Sequence, residues 1–344
     1  MRKDKIRRLS AAVMRRVFGT LPEKPRFEGH LHTVAILAQE KIGDAILLTP
    51  LLKNLRQAFP EVTIHIVAFG AIAGFFECDT NVDVVHQAKG RALGFLSEVR
   101  KIRFDVLFNT KDHPSWTFLM HTALIRSHYK VGIDHPYHRG LFNYLIKVGF
   151  EQHIVQKNCA LLTHLGVHLA PGACRPYIPQ GDVSPEVAAF VSNNAEKSII
   201  GINLSAGEPS REWPIEKWQK LVENLKVPIV VFAMPNRVAD KATLEESFSH
   251  VLKSPQTKTI YDVAAILQGL TLLISPDTAL IHMASCYNRP VVGLYRADVI
   301  HLTRFAPYEV PNRQVVSEIS SIKAIPVQSV LETIHELCPH IMIA

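Results

Sequence analysis

The chain has 344 residues, of which 47% are apolar and 20% charged, a composition that supports a large buried core and excludes wholesale disorder. At roughly 150 residues per domain this length suggests two domains, and no apolar run nears the roughly 20 residues needed to span a bilayer. The net charge of +7 belongs to one end: residues 1–18 carry seven Lys or Arg against Asp4 alone, which leaves the rest of the chain nearly neutral. A near-neutral body argues against a nucleic-acid surface that tracks phosphates.

The basic extension, residues 1–25, comes first. Its apolar stretch is short and is closed by Arg15 and Arg16 instead of a small-residue cleavage site, so it does not read as a secretory signal. Ile6, Leu9, Val13 and Val17 recur at helical spacing, with Met14 and Phe18 beside them and arginines around the rest. This predicts a short amphipathic helix that lies on an anionic membrane surface, each basic side chain contributing about 1 kcal/mol near the lipid. The alternative is an exposed helix or a frayed extension with no membrane role. Pro22 and Pro25 are expected to break it. The cysteines (Cys78, Cys159, Cys174, Cys286, Cys338) are odd in number, widely spaced and free of any C-x-x-C. They fit free thiols in a reducing compartment, and a cytoplasmic protein is expected.

In the first half, residues 30–175, segments 34–38 (VAILA) and 63–69 (TIHIVAF) read as strands, with residues 45–59 as a helix between them. Residues 83–86, 106–109 and 130–132 read as further strands. Residues 171–185 hold four prolines and two glycines and mark a domain boundary. The pattern restarts over residues 182–325, with strands at 198–204, 229–233, 272–275 and 291–295 and helices at 214–225 and 278–287. Residues 326–344 are expected to form a C-terminal helix. Strands alternating with helices imply parallel sheets. The expected fold class is therefore α/β, two doubly wound Rossmann-like domains facing each other across a cleft, with ligands at the carboxyl ends of the strands.

The chain lacks G-x-G-x-x-G, the G-x-x-x-x-G-K-[ST] phosphate loop, G-x-S-x-G and H-E-x-x-H. His30, His32, His135 and His138 could pair but imply no third ligand, so no metal is expected. Three constellations at strand ends remain. Lys41, Gly43 and Asp44 precede Thr49-Pro50; Asp44 either caps a helix or serves as a general base that takes a proton from a substrate hydroxyl. Asn203, Ser205, Ala206 and Gly207 precede Arg211 and Trp213-Pro214. Small residues there let backbone amides approach an anion, and Arg211 can grip phosphate oxygens, while Pro214 suits the first position of a helix. Ser275-Pro276-Asp277 leads into Thr278, Ala279, Leu280 and His282, where a helix N-terminus can hold a diphosphate and Asp277 can accept bonds from sugar hydroxyls. Asp277 could equally cap that helix, and His282 could simply be packed.

In order and spacing these segments resemble glycosyltransferase family 9, the heptosyltransferases. The resemblance runs from about residue 34 to 308. It rests on Gly43-Asp44 with Thr49-Pro50, the N-x-x-A-L-L…L-G-V stretch at 158–167, R-x-W-P at 211–214, D-T-A-L-I-H at 277–282 and P-V-V-G-L-Y at 290–295. It implies a GT-B enzyme of lipopolysaccharide core assembly that moves a heptose from ADP-heptose to a lipid A-linked acceptor, with inversion and without metal. The N-terminal domain would bind acceptor and the C-terminal domain the nucleotide sugar. Carried over, Asp44 would be the base, Arg211 would hold the donor phosphates, Asp277 the donor's sugar hydroxyls, and residues 278–280 the diphosphate. Residues 205–207 and His282 complete the expected donor side, with the base pocket near residues 259–262. Lys41, Gly43, His113, His135 and Arg139 are the acceptor-side candidates. The lipid-linked acceptor would give the basic helix of residues 1–18 an inner-membrane surface to dock on. Ala38 stands where the family usually has a basic residue, Ala279 replaces a glycine, and Arg296 follows the last strand where the family tends to turn through glycine. These departures leave as alternatives a same-fold transferase with a different nucleotide sugar, or a catalytically silent relative that binds glycan or scaffolds an envelope-assembly complex.

Overall fold

The computed structural model describes residues 2–88 and 92–341. These divide into two compact units on either side of Cys174 and Arg175, inside the proline-rich segment.

The first unit is built on six parallel strands: β1 (Thr33–Leu37), β2 (Thr63–Ala68), β3 (Val84–Gln87), β4 (Phe104–Asn109), β5 (Ser127–Ile133) and β6 (Tyr144–Ile146). Their order is β3-β2-β1-β4-β5-β6. The second unit holds five parallel strands, β7 (Ile200–Asn203), β8 (Ile229–Phe232), β9 (Leu272–Pro276), β10 (Val291–Tyr295) and β11 (Asn312–Val316), in the order β11-β10-β9-β7-β8. Helices cover the sheets, so the central strands are buried on both faces and read as continuous apolar runs. In each unit the strand order reverses once, between β1 and β4 and between β7 and β9. Connections leave the sheet in opposite directions at such a point, which opens a crevice at the carboxyl ends.

The expected strands all form. Two edge strands escaped the sequence pattern: β6 has only three residues, and β11 opens on Asn312, Arg313 and Gln314. An edge strand has one ladder partner and a solvated side, so its apolar signal is weak.

The single helix expected over residues 45–59 is two helices, Ile42–Ile46 and Thr49–Ala58. Pro50 has no N–H to donate to the carbonyl of Ile46. The Thr49 hydroxyl donates to that oxygen instead, at 2.8 Å. In the second unit, Pro214 is the N-cap of the helix Ile215–Asn224, one position earlier than expected. The C-terminal helix runs Val327–Leu337; residues 342–344 of the expected span lie outside the described residues.

The N-terminal extension forms the helix Arg2–Phe18. It ends at Gly19, whose φ of +77° suits glycine alone, and not at the later prolines. Its inward face packs Ala11 and Met14 against Leu119, Leu141 and Phe142 of the first unit. Met14 is therefore core. The outward face leaves Ile6, Leu9 and Val17 exposed, at 57, 65 and 65%. Among the described residues no helix is long and apolar enough to cross a membrane.

Candidate functional site

The crevice of the second unit gathers most of the expected donor-side residues. Asn203 ends β7 beside Ser275 of β9. Its amide nitrogen donates to the Ser275 hydroxyl at 3.0 Å and to the Thr278 hydroxyl at 3.1 Å, while its amide oxygen accepts from the backbone N–H of Ser205 at 3.1 Å. One buried side chain thus stitches both loops that leave the reversal point. Thr278, and not Asp277, is the N-cap of the helix Ala279–Cys286, its hydroxyl accepting from the N–H of Leu280. Ala279 and Leu280 stay half-buried at the open helix end, where free N–H groups favour an anion.

Arg211 sits in a short turn, Pro209–Arg211, and reaches back to Asp277. Its Nη1 donates to the Asp277 carbonyl at 2.8 Å and to the Asp277 carboxylate at 3.1 Å. His301, from the helix Val299–Arg304, approaches the same carboxylate at 3.3 Å. Burial alone would raise the Asp277 pKa. The bond from His301 and the charges of Arg211, His282 and His301 outweigh it and hold the carboxyl below its ordinary value. Asp277 is thus held as a carboxylate beside the Arg211 guanidinium. Tyr295 at the end of β10 is pushed the other way, above the usual tyrosine value, by burial and by the Asp277 charge.

Arg296, the departure at the end of β10, points into this cluster. It donates to Glu208 at 3.2 Å and to the Ser210 hydroxyl at 3.1 Å. Glu208 also lies 3.6 Å from Arg211. Two guanidinium groups thus share one half-exposed carboxylate, an arrangement that a phosphate oxygen could replace. Gly207 beside them has no neighbour closer to a would-be Cβ than Arg211 at 3.9 Å, so the loop is open at that point. Ser205 belongs to the scaffold: its hydroxyl accepts from the N–H of Met234 at 2.7 Å. Thr259 and Asp262 likewise form a reciprocal helix cap.

In the first unit, the loops after β1 and β4 are tied together. The Thr110 hydroxyl donates to the Leu37 carbonyl at 2.7 Å, and Lys111 donates to the Gln39 side chain at 2.8 Å. Asp44 lies half-buried in the first turn of the helix Ile42–Ile46, whose N-cap is Lys41. Asp44 is thus not the cap, and the helix dipole favours its charge. Gly43 precedes it on the same turn. His113 leans on Asp112 at 3.0 Å, and Asp112 in turn pairs with buried Lys157 at 2.7 Å. Burial lowers the His135 pKa, and the nearby Arg7 and His113 lower it further, so His113 and His135 belong to one neighbourhood. Arg139 lines a groove along β6 instead. Among the described residues no group of His, Cys, Asp or Glu could hold a metal ion.

Sequence reasoning missed Glu208, His301 and the Asp112–Lys157 pair as members of these sites. Asn203 and Ser275 were visible as polar residues closing apolar strands; His301 left no such signal, because only the fold brings its helix to Asp277.

Two parallel doubly wound sheets, each with its polar cluster at the reversal point, define a GT-B-like α/β protein. Residues 93–335 match the model of glycosyltransferase family 9 (heptosyltransferase). The chain belongs to that family and is a glycosyltransferase. It is 21% identical to the lipopolysaccharide core heptosyltransferase OpsX of Haemophilus influenzae, over 83% of this chain and 84% of that one. Its fold matches E. coli heptosyltransferase WaaC with ADP, at a TM-score of 0.67 and 17% identity over 88% of this chain and 97% of that one. The match to WaaC with ADP-2-deoxy-2-fluoro heptose has the same TM-score, at 18% identity over 88% of this chain and 99% of that one. A family 9 glycosyl transferase from Veillonella parvula superimposes at 0.70, with 18% identity over 92% of this chain and 99% of that one.

Proposed function

We propose that this protein is an inverting, metal-independent heptosyltransferase. It moves a heptose from ADP-heptose to a lipid A-linked core sugar on the cytoplasmic face of the inner membrane. The observation that carries the reading is the Arg211–Asp277 pair beside the open N-terminus of the helix Ala279–Cys286, at the reversal point of the second sheet. Arg211, Arg296 and the helix amides offer positive charge to a diphosphate, and Asp277 and His301 offer polar contacts to a sugar.

Asp44 acts as the base. It takes the proton of an acceptor hydroxyl while that oxygen bonds to the anomeric carbon, and the bond from that carbon to the diphosphate breaks with its electrons leaving on ADP. Stabilising the departing diphosphate lowers the barrier. WaaC, solved with ADP and with a fluorinated ADP-heptose, supports this choice of donor. The outward stripe of Ile6, Leu9 and Val17 supports docking at the membrane that holds the acceptor.

Calorimetric titration with ADP, UDP and GDP tests the donor. ADP is expected to bind tightest, and Arg211→Ala and Asp277→Ala to weaken it. Preference for another base would change the donor, and no binding of any nucleotide would sink the reading.

A further inference from the structure

Along the outer edge of the first unit's sheet, beside β6, runs an open groove of about 790 Å³. Four cationic side chains line it, Lys24, Arg26, Arg139 and Lys147, against two acidic ones, Glu23 and Asp134. Two of the cations are anchored by the fold. Lys24 Nζ donates to the His128 carbonyl at 2.6 Å and lies 4.6 Å over the Tyr129 ring, and Arg26 Nε donates to the His164 carbonyl at 2.9 Å. Arg139 and Lys147 are exposed and form no ion pair among the described residues. The wall also carries His164, buried to 3% exposure with its ring 4.1 Å from that of Tyr144. Neither His164 ring nitrogen has a hydrogen-bond partner among the described residues.

The groove adjoins the end of the amphipathic helix Arg2–Phe18. Arg15 in its last turn donates to the carbonyls of Tyr137 and Arg139, both at 3.1 Å. The chain leaving the helix is then laced to the groove wall, Leu21 to Gly140 and Lys24 to Asn143, both at 2.8 Å. A helix with an exposed apolar stripe thus leads directly into a basic groove. One weak membrane signal gives only marginal binding, and a second one beside it makes docking stable.

We propose that this groove binds the phosphate monoester of a lipid headgroup, with Arg139 and Lys147 as its free cations, while the stripe of Ile6, Leu9 and Val17 enters the same leaflet. This rests on the membrane-surface reading of the helix and adds a headgroup chemistry to it. A monoester phosphate presents up to two charges and three oxygens, whereas a diester headgroup presents one charge, so the groove selects between them.

Vesicle co-sedimentation tests this with the full chain. The vesicles are phosphatidylcholine mixed either with phosphatidic acid or with phosphatidylglycerol, matched in surface potential. Wild type is expected to bind the phosphatidic acid vesicles tighter by about fivefold or more, the equivalent of one basic contact. The Arg139→Gln, Lys147→Gln double variant should lose that preference, so that it binds the two kinds of vesicle equally. Equal binding to both vesicles by wild type, or a preference that survives the double substitution, overturns the proposal. Calorimetric binding of inorganic phosphate that the double substitution abolishes, with no vesicle preference, would assign the groove to a soluble phosphoester and overturn the lipid assignment. An Ile6→Ser, Leu9→Ser, Val17→Ser variant separates the two readings: it should lose binding to both vesicles, and if it does not, the membrane reading of the helix fails. ADP titration of the same proteins reports on the donor reading alone.

Discussion

Arg211 holds Asp277 through a single nitrogen, Nη1, which donates both to the backbone carbonyl and to the carboxylate. The other guanidinium nitrogens make no bond to Asp277: Nη2 faces Glu208 at 3.6 Å, and Nε is buried with no partner among the described residues. The same side chain can thus fix the loop after β9 and still present N–H groups to an anion. Lysine would keep the charge but not the planar fork. Arg211→Lys is expected to weaken ADP binding roughly tenfold and Arg211→Ala by ten- to a hundredfold, in the range of a charge-assisted hydrogen bond. Calorimetry on both variants checks the order; equal affinity for Arg211→Lys and wild type would show that only charge matters.

Glu208 bridges Arg211 and Arg296 from a half-exposed position. A diphosphate entering there must displace that carboxylate. Exposed pairs are worth about 0–1 kcal/mol, so Glu208→Gln is expected to tighten ADP binding by up to about fivefold. The gain should shrink at high salt, which screens the competing carboxylate. Weaker ADP binding in Glu208→Gln would mean that Glu208 orients the arginines instead of competing for them.

Asp44 is proposed as the base, and a base contributes to the chemical step more than to nucleotide binding. Asp44→Asn keeps the shape and removes the proton acceptor. Turnover is expected to fall about a hundred- to ten-thousandfold, with ADP affinity unchanged within error. Substantial residual turnover at unchanged ADP affinity would remove Asp44 from the base role.

The central strands of both sheets were legible because buried parallel strands are apolar along most of their length, as over residues 34–37 of β1 and 200–202 of β7. So were the polar loops after them, since a reversal point needs small and hydrogen-bonding residues where the chain leaves the sheet. What stayed hidden depends on contacts distant in sequence. His301 reaches Asp277 across 24 positions, and Lys157 reaches Asp112 across 45. The N-terminal helix shows the limit of periodicity most directly. Its spacing marked an apolar stripe but could not tell the stripe that packs, Ala11 and Met14, from the one left outside. Deleting the helix would therefore uncover Leu119 and Phe142 and confuse folding with docking, which is why substitutions on the outer stripe are the better probe.

The Asp112–Lys157 pair offers a test of what holds the loop after β4. Lys157 is 2% exposed and has a second acceptor in the Phe150 carbonyl at 2.6 Å. Removing Asp112 takes a carboxylate at 2.7 Å away from a buried ammonium, and Asp112→Ala is expected to cost about 3–5 kcal/mol. Replacing both partners, with Lys157→Met added, should recover much of that loss. Urea unfolding of the two single variants and the double variant measures the coupling. Additive losses would show that the pair is not an interacting unit.

Acid should destabilise the first unit before its carboxylates titrate. His65, His138 and His164 are all held at about 4, well below the ordinary histidine value. Burial is the leading cause for each; His86 adds to it at His65, and Arg26 at His164. His65 stacks on His86 with a 3.0 Å contact between ring nitrogens, beside the Phe104 ring. Folded, these rings stay neutral down to about pH 4, whereas in the unfolded chain they protonate near about 6.5. The unfolded state thus binds more protons in that window. Stability is fully present above about pH 6.5 and falls toward pH 4, by at most about 1.4 kcal/mol per pH unit for each histidine. Urea midpoints measured from pH 7 to 4 should decline, and His65→Phe should flatten the slope. A wild-type midpoint that holds constant until the carboxylates protonate would show that these rings take up protons without unfolding the unit.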